Sequence, residues 1–277
     1  MLNKWPLAYY NVRLGDHLNC VAWLAVNLFN KELEVLERRV SESNLRDLLY
    51  LAGVTHDIGK ASRFYEEKFN ETKRLTFPYH EIVGALILHA TSWKISWDRG
   101  GRVLSIAAKI VSRHHAAMTG RHPRDLVQSK STYMVDHVLN VLREIRVDDM
   151  STLVDELLSR TPRSLSIARI ALEELKNKLE SVVKEITSGR SRNVVQRDIE
   201  SLATLDSGES KEYILVASLT GMLMVADNLV ANLERRKSSD GMTPLYIMSW
   251  SRELSGRLRK LEVSNACPHV EVDGYGC

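Results

Sequence analysis

Leu165, Ala168, Leu172, Leu175, Leu179, Val182 and Ile186 step by three and four residues, a spacing that places all seven on one face of an α-helix. Thr161-Pro162 supplies a helix start. The stripe reads as core packing, with a coiled-coil partner as the alternative. Similar patterns predict helices over Leu18–Val40, Asn44–Asp57, Ala61–Phe69, Glu81–Trp93, Val103–His115, Thr132–Ile145, Arg163–Thr187, Lys211–Arg236 and Leu245–Leu261. Alternating apolar and polar runs hardly occur, and the six prolines sit between the long patterns, so the chain reads as all-α.

At 277 residues, 44% hydrophobic and 26% charged, the chain suits one large domain, or one domain carrying an insertion. A net charge of +3 tolerates an anionic partner without demanding one. Cys20, Cys267 and Cys277 are too few and too scattered for a disulfide framework, which points to a reducing compartment. Cys267 and His269 with Cys277 offer only three zinc ligands, and residues 264–277 read as a flexible tail. The first residues lack a basic-then-apolar signal pattern, and the apolar stretch from Tyr213 to Ala226 is too short to span a bilayer. A cytoplasmic protein with no membrane partner is expected.

The segment "LLYLAGVTHDIGKAS" ends an apolar run with His56, Asp57 and Lys60. Burying a carboxylate costs several kcal/mol unless something pairs with it. A phosphate-binding loop is excluded: five residues separate Gly53 from Gly59, and Ala61 stands where magnesium needs a hydroxyl. Of nine histidines, six (His17, His56, His80, His89, His114 and His115) fall in the first 115 residues, and several have a neighbour able to share a metal. Neutral imidazole and carboxylate are ligands for zinc, manganese, iron, cobalt or nickel. Asp227 sits in the almost wholly apolar "LTGMLMVADNLVANL", where a cation is the partner that suits a nearby histidine cluster.

Five blocks then carry a resemblance: "LGDHLNCVAWLA", "HDIGKASRFYEEKF", "FPYHEIVGALIL", "SRHHAAM" and "MVADNLV". Their content and order resemble the HD superfamily of metal-dependent phosphohydrolases, and most closely the HD nuclease of type I CRISPR interference encoded apart from its helicase. The resemblance covers most of residues 10–235. It implies an HD-domain helical bundle spanning the chain, with residues 119–210 as a helical elaboration. One metal would be held by His17, His56, Asp57 and Asp227, and a second by Asp57, His80, His114 and His115. Asp57 would bridge the two, and Lys60 would lie near the scissile phosphate. Ala116 departs from the glycine often found after the histidine pair, and His89 matches no metal position.

The implied activity is cleavage of single-stranded DNA, or RNA, by a two-metal-activated hydroxide attacking phosphorus in antiviral interference. An imidazole-rich ligand set favours manganese, nickel, cobalt or iron, with magnesium allowed. The implied partners are a separate helicase subunit and the crRNA-guided interference complex. Arg121, Arg124, Arg190, Arg192 and Arg197 could track a phosphate backbone, or simply be solvated. Two other classes compete: an HD phosphohydrolase of nucleotides or cyclic dinucleotides, and a catalytically silent helical adaptor. "HHAAMTGRHP" lacks the Glu and the Asp-Gly of the cyclic-dinucleotide enzymes, and no ligand position is missing as an adaptor would allow.

Overall fold

The computed structural model describes residues 5–9, 11–96, 98, 100–116, 122–128, 132–189, 192–205, 211–235, 256–258, 260, 261, 263 and 267. A short antiparallel hairpin, β1 (Leu7–Tyr9) and β2 (Val12–Arg13), opens the described chain. Helices follow: α1 (Leu14–Leu28), α2 (Asn30–Val40), α3 (Leu45–Thr55), α4 (Arg63–Thr72), α5 (His80–Ser92), α6 (Gly101–Val111) and α7 (Pro123–Gln128). Then come α8 (Thr132–Arg143), α9 (Val147–Arg160), α10 (Ser166–Gly189), α11 (Arg192–Ala203) and α12 (Lys211–Arg235). A 3-10 turn, Ile58–Ala61, joins α3 to α4. The expected all-α class and HD-type helical bundle hold.

Two helices form the centre. α1 packs against α3 and α12 and buries most of its length, with Leu14, Leu18, Leu24 and Leu28 sealed from solvent. α5 is buried along all its residues, as a helix apolar on every side must be. It lies against α6, α8, α10, α11 and the 3-10 turn. The site residues carried at the ends of these helices cannot shift without disturbing the core.

Of the seven stripe residues, Leu165 just precedes α10 and six lie on it; all seven are buried, so the stripe is core packing rather than a coiled-coil seam. α10 begins at Ser166 rather than at Arg163, and its first amides, Ile167 N–H and Ala168 N–H, donate to Asp47 Oδ1 from α3. A distant carboxylate therefore caps this helix. The helix expected over Leu18–Val40 is two helices, broken at Phe29 (φ −105°, ψ 21°). The bend lets Leu33, Leu36 and Val40 of α2 reach the core from a new direction. Within residues 119–210, α7, α9 and α11 join the predicted α8 and α10. The helix expected over residues 245–261 falls largely outside the described residues.

Cys20 and Cys267 form a disulfide across 247 residues, with Cys267 fully buried. The cysteines read as too scattered for a disulfide framework thus include one bonded pair: side chains remote in sequence are brought together where residues near the C-terminus return to α1. It also ties down one residue of the segment read as a tail, whose other residues lie outside those described. In the oxidised protein, Cys267→Ser is expected to lower unfolding free energy by about 2–5 kcal/mol, because the cross-link restricts a very long loop in the unfolded chain. Urea denaturation with and without reductant measures this; equal midpoints would contradict the pairing.

The helix expected over Lys211–Arg236 forms as Lys211–Arg235, and the apolar stretch read as too short for a bilayer is only part of it. α12 is 25 residues, enough by length and composition to cross a membrane. Here it packs against α1, α2, α3 and α6, burying Leu215, Val216, Leu219, Leu223, Leu229 and Val230.

Candidate metal centre

Helix ends deliver the histidines. His17 lies in the first turns of α1, His56 and Asp57 follow α3, His80 opens α5, and His114 and His115 follow α6. Asp227 comes from the interior of α12. These seven meet at one place. Asp57 Oδ1 lies 2.6 Å from His80 Nε2 and 3.4 Å from His114 Nε2. Asp57 Oδ2 lies 3.6 Å from His17 Nε2, 3.5 Å from His56 Nε2 and 2.5 Å from Lys60 Nζ. Asp227 Oδ1 lies 3.3 Å from His17 Nε2 and 3.5 Å from His56 Nε2. His115 Nε2 sits 3.3 Å from His80 Nε2.

Ring orientation follows from the backbone. The Nδ1 atoms of His56, His80 and His114 face the carbonyls of Gly53, Phe77 and Val111, each three residues earlier, at 2.7, 2.5 and 2.7 Å. A carbonyl can only accept, so Nδ1 carries the proton and Nε2 is left as the inward lone pair. His17 uses Glu234 instead, with Nδ1 3.0 Å from Oε2.

The residues fit a divalent metal. The buried Nε2 atoms of His17, His56 and His114 make no hydrogen bond, which is costly unless a cation meets them. Two ligands about 2.1 Å from a tetrahedral ion stand about 3.4 Å apart, which matches the gaps from His17, His56 and His114 to the carboxylates, while His80 Nε2 and Asp57 Oδ1 lie closer together at 2.6 Å. Two ligand groups share one carboxylate: Asp57 with His80, His114 and His115, and Asp57 with His17 and His56. A third combination joins His56, His114 and Asp227. The cavity beside them holds about 280 Å³, walled by Ala8 and Tyr9 of β1, Lys60, and Met224, Asn228 and Asn232 of α12.

The charges are strongly perturbed. Burial opposes ionisation of Asp57, but Lys60, His56 and His80 outweigh it and hold the carboxyl well below its usual range. Burial opposes Asp227 in the same way, and His17 and His56 hold it down. Burial lowers His56 in spite of Asp57 and Asp227, and with His114 and His80 it takes His115 to about 2. For His17 burial is overcome by Glu234 and Asp227, which lift it to about 10.

These shifts set a pH optimum for the metal-free fold. His115 resists a proton that the unfolded imidazole takes near pH 6.5, so stability falls as pH drops below that value. Below about pH 4 the depressed carboxylates of Asp57 and Asp227 add to the loss. His17 works oppositely: its contribution is complete below pH 6.5 and is lost as pH rises through about 10. Urea midpoints of chelated protein at pH 5, 7 and 9.5 should therefore peak at pH 7. A monotonic trend would contradict these charge states.

Of the candidate nucleic-acid contacts, Arg124, Arg192 and Arg197 are exposed on α7 and α11, which pack together. Arg192 also pairs with Asp136. Arg121 and Arg190 lie outside the described residues. His89 stands apart from the cluster and accepts from the Trp93 indole N–H at 3.1 Å. Ala116, where glycine was the alternative, adopts no left-handed conformation. Sequence reasoning missed Glu234, although it stands seven residues past Asp227 and so on the same helix face. It also missed Arg113, buried beside His114, whose guanidinium donates to the carbonyls of Lys109 and Ala203 and anchors the end of α6 to that of α11.

A helical bundle whose helix termini converge on a buried histidine–aspartate cluster defines an HD-type domain. Comparison with known proteins agrees: the family described as "Cas3, HD domain" matches residues 11–234, and the chain belongs to it. The CRISPR-associated endonuclease Cas3-HD of Methanocaldococcus jannaschii is 25% identical over 162 residues, covering 55% of this chain and 65% of that relative. The match thus spans just under two thirds of the relative's length. No solved structure gives a significant match.

Proposed function

We propose that this chain is a metal-dependent phosphodiesterase that cleaves single-stranded DNA, or RNA, in CRISPR antiviral interference. One observation carries the reading: Asp57 is shared by two imidazole groups, as a bridge between two divalent ions would be. His17, His56, Asp57 and Asp227 would hold one ion, and Asp57, His80, His114 and His115 the other. Bound there, such ions would supply a nucleophilic hydroxide at neutral pH and would offset charge building on the phosphate oxygens. Manganese, nickel, cobalt or iron suit the imidazole-rich set better than magnesium.

Asp57 fixes both halves of the cluster, and the backbone-bonded rings keep Nε2 pointed inward. Lys60, its ammonium against Asp57 at the cavity wall, is placed to meet a phosphodiester oxygen and stabilise its charge during attack. Arg124, Arg192 and Arg197, with Arg121 and Arg190, would extend the path for the strand. A separate helicase and the crRNA-guided complex would expose that strand. On this reading the chain is one HD domain with residues 119–210 as its elaboration, in the cytoplasm. Disulfides are uncommon there outside hyperthermophiles, so the Cys20–Cys267 bond bears on that placement.

The test is cleavage of labelled single- and double-stranded oligonucleotides, beside a panel of nucleotides and cyclic dinucleotides, after chelation and stepwise addition of each metal. Single strands should be cut only after metal is restored. Hydrolysis of nucleotides with oligonucleotides left intact would replace this reading with that of a nucleotide phosphohydrolase.

A further inference from the structure

The metal cluster is backed asymmetrically. His56, His80 and His114 each direct Nδ1 at a neutral backbone carbonyl, with the buried Glu81 carboxylate 3.6 Å from His80 Nδ1 and beyond hydrogen-bond distance, whereas His17 directs its Nδ1 at the carboxylate of Glu234. Both Glu234 oxygens lie within reach, at 3.0 and 3.2 Å, and both side chains are almost sealed from solvent, 3% exposed for His17 and 2% for Glu234. Glu234 and Asp227 are two turns apart on one face of α12. A single helix therefore presents one carboxylate directly to the cluster and a second through an imidazole.

A carboxylate behind an imidazole does two things that a carbonyl does less well. It holds the ring by a charge-assisted hydrogen bond, roughly twice as strong as a neutral one. It also makes the far nitrogen more basic towards a metal. The opposite end of the cluster has carbonyl backing at His80 and His114, and it is crowded by imidazoles: His80 Nε2 and His115 Nε2 are 3.3 Å apart, and the His114 and His115 rings are 4.0 Å apart.

Resting on the two-ion reading above, we infer that Glu234 is a positioning residue that makes the two sites unequal: the end built from His17, His56 and Asp227 takes its ion more tightly than the end built from His80, His114 and His115. The protein then fills stepwise, and Glu234 sets the affinity of the first step without touching the ion or the substrate.

Calorimetric titration of manganese into chelated full-length protein tests this with no dependence on turnover. The unsubstituted protein should give two resolved steps. Glu234→Gln keeps the size and one acceptor but loses the charge; it should weaken the first step about 10–100-fold and leave the second within about threefold. Glu234→Asp, which restores the charge on a shorter arm, should recover part of that loss. Thermal melts of the chelated variants separate a folding defect from a metal effect, and Glu234→Gln remains informative where a truncation to alanine would not fold. An unchanged first step in Glu234→Gln, or equal weakening of both steps, overturns the inference while leaving the two-ion reading intact. No manganese bound by the unsubstituted protein overturns the reading beneath it.

Discussion

Asp57→Asn is expected to abolish metal-dependent hydrolysis, with a loss in kcat/KM of about a thousandfold or more, and, on the two-ion reading proposed above, to remove binding of both ions. The size follows from placement. Oδ1 faces His80 and His114, and Oδ2 faces His17, His56 and Lys60, so one carboxylate serves every part of the cluster. An asparagine of the same shape keeps one oxygen but loses the charge, and its amide nitrogen presents hydrogens where a lone pair is required. The substitution also leaves Lys60, only 12% exposed, without its buried partner. Removing one member of a buried pair costs about 3–5 kcal/mol, less if the lysine swings into the cavity. Circular dichroism should still report a helical fold at room temperature with a lower melting temperature. Turnover equal to that of the unsubstituted enzyme would remove Asp57 from the chemistry.

Gly59→Ala is expected to cost about 3 kcal/mol or more and to weaken metal binding from a residue that is not a ligand. A Cβ at this position would stand 2.2 Å from the His80 carbonyl oxygen and 3.0 Å from Gly84 N. Both are backbone atoms of a wholly buried helix, so neither can rotate away. Relief requires the 3-10 turn and α5 to separate, which draws Asp57 from His80. By contrast, a Cβ at Gly221 in α12 meets nothing within 4 Å. Gly221→Ala should be neutral or gain up to about 1 kcal/mol from helix propensity. Chemical denaturation and cobalt titration of the two variants provide the comparison. Similar stability for both would mean that the turn and α5 are not held as closely as described.

Much of this is legible in the sequence because burial leaves a mark on it. His56, Asp57 and Asp227 stand out as polar groups inside apolar runs, and the α10 stripe states its own face. The features that escape depend on contacts without a local signature. Asp47 caps α10 from another helix, and Cys20 meets Cys267 across nearly the whole chain. The break at Phe29 interrupts no apolar period strongly enough to be seen. α9 does carry a readable pattern, since Met150, Leu153, Val154 and Leu157 keep helical spacing behind an acidic first turn, but its stripe is shorter than that of α10 beside it. Glu234 looks like an ordinary charged residue near a helix end. Only its burial against His17 separates it from a solvated glutamate.

The most direct measurement is anomalous scattering from a crystal soaked in manganese. Two peaks are expected, one on each side of Asp57, with His17, His56 and Asp227 around the first and His80, His114 and His115 around the second. A map with no manganese between these side chains, or with ions held by other residues, would contradict the shared-carboxylate centre.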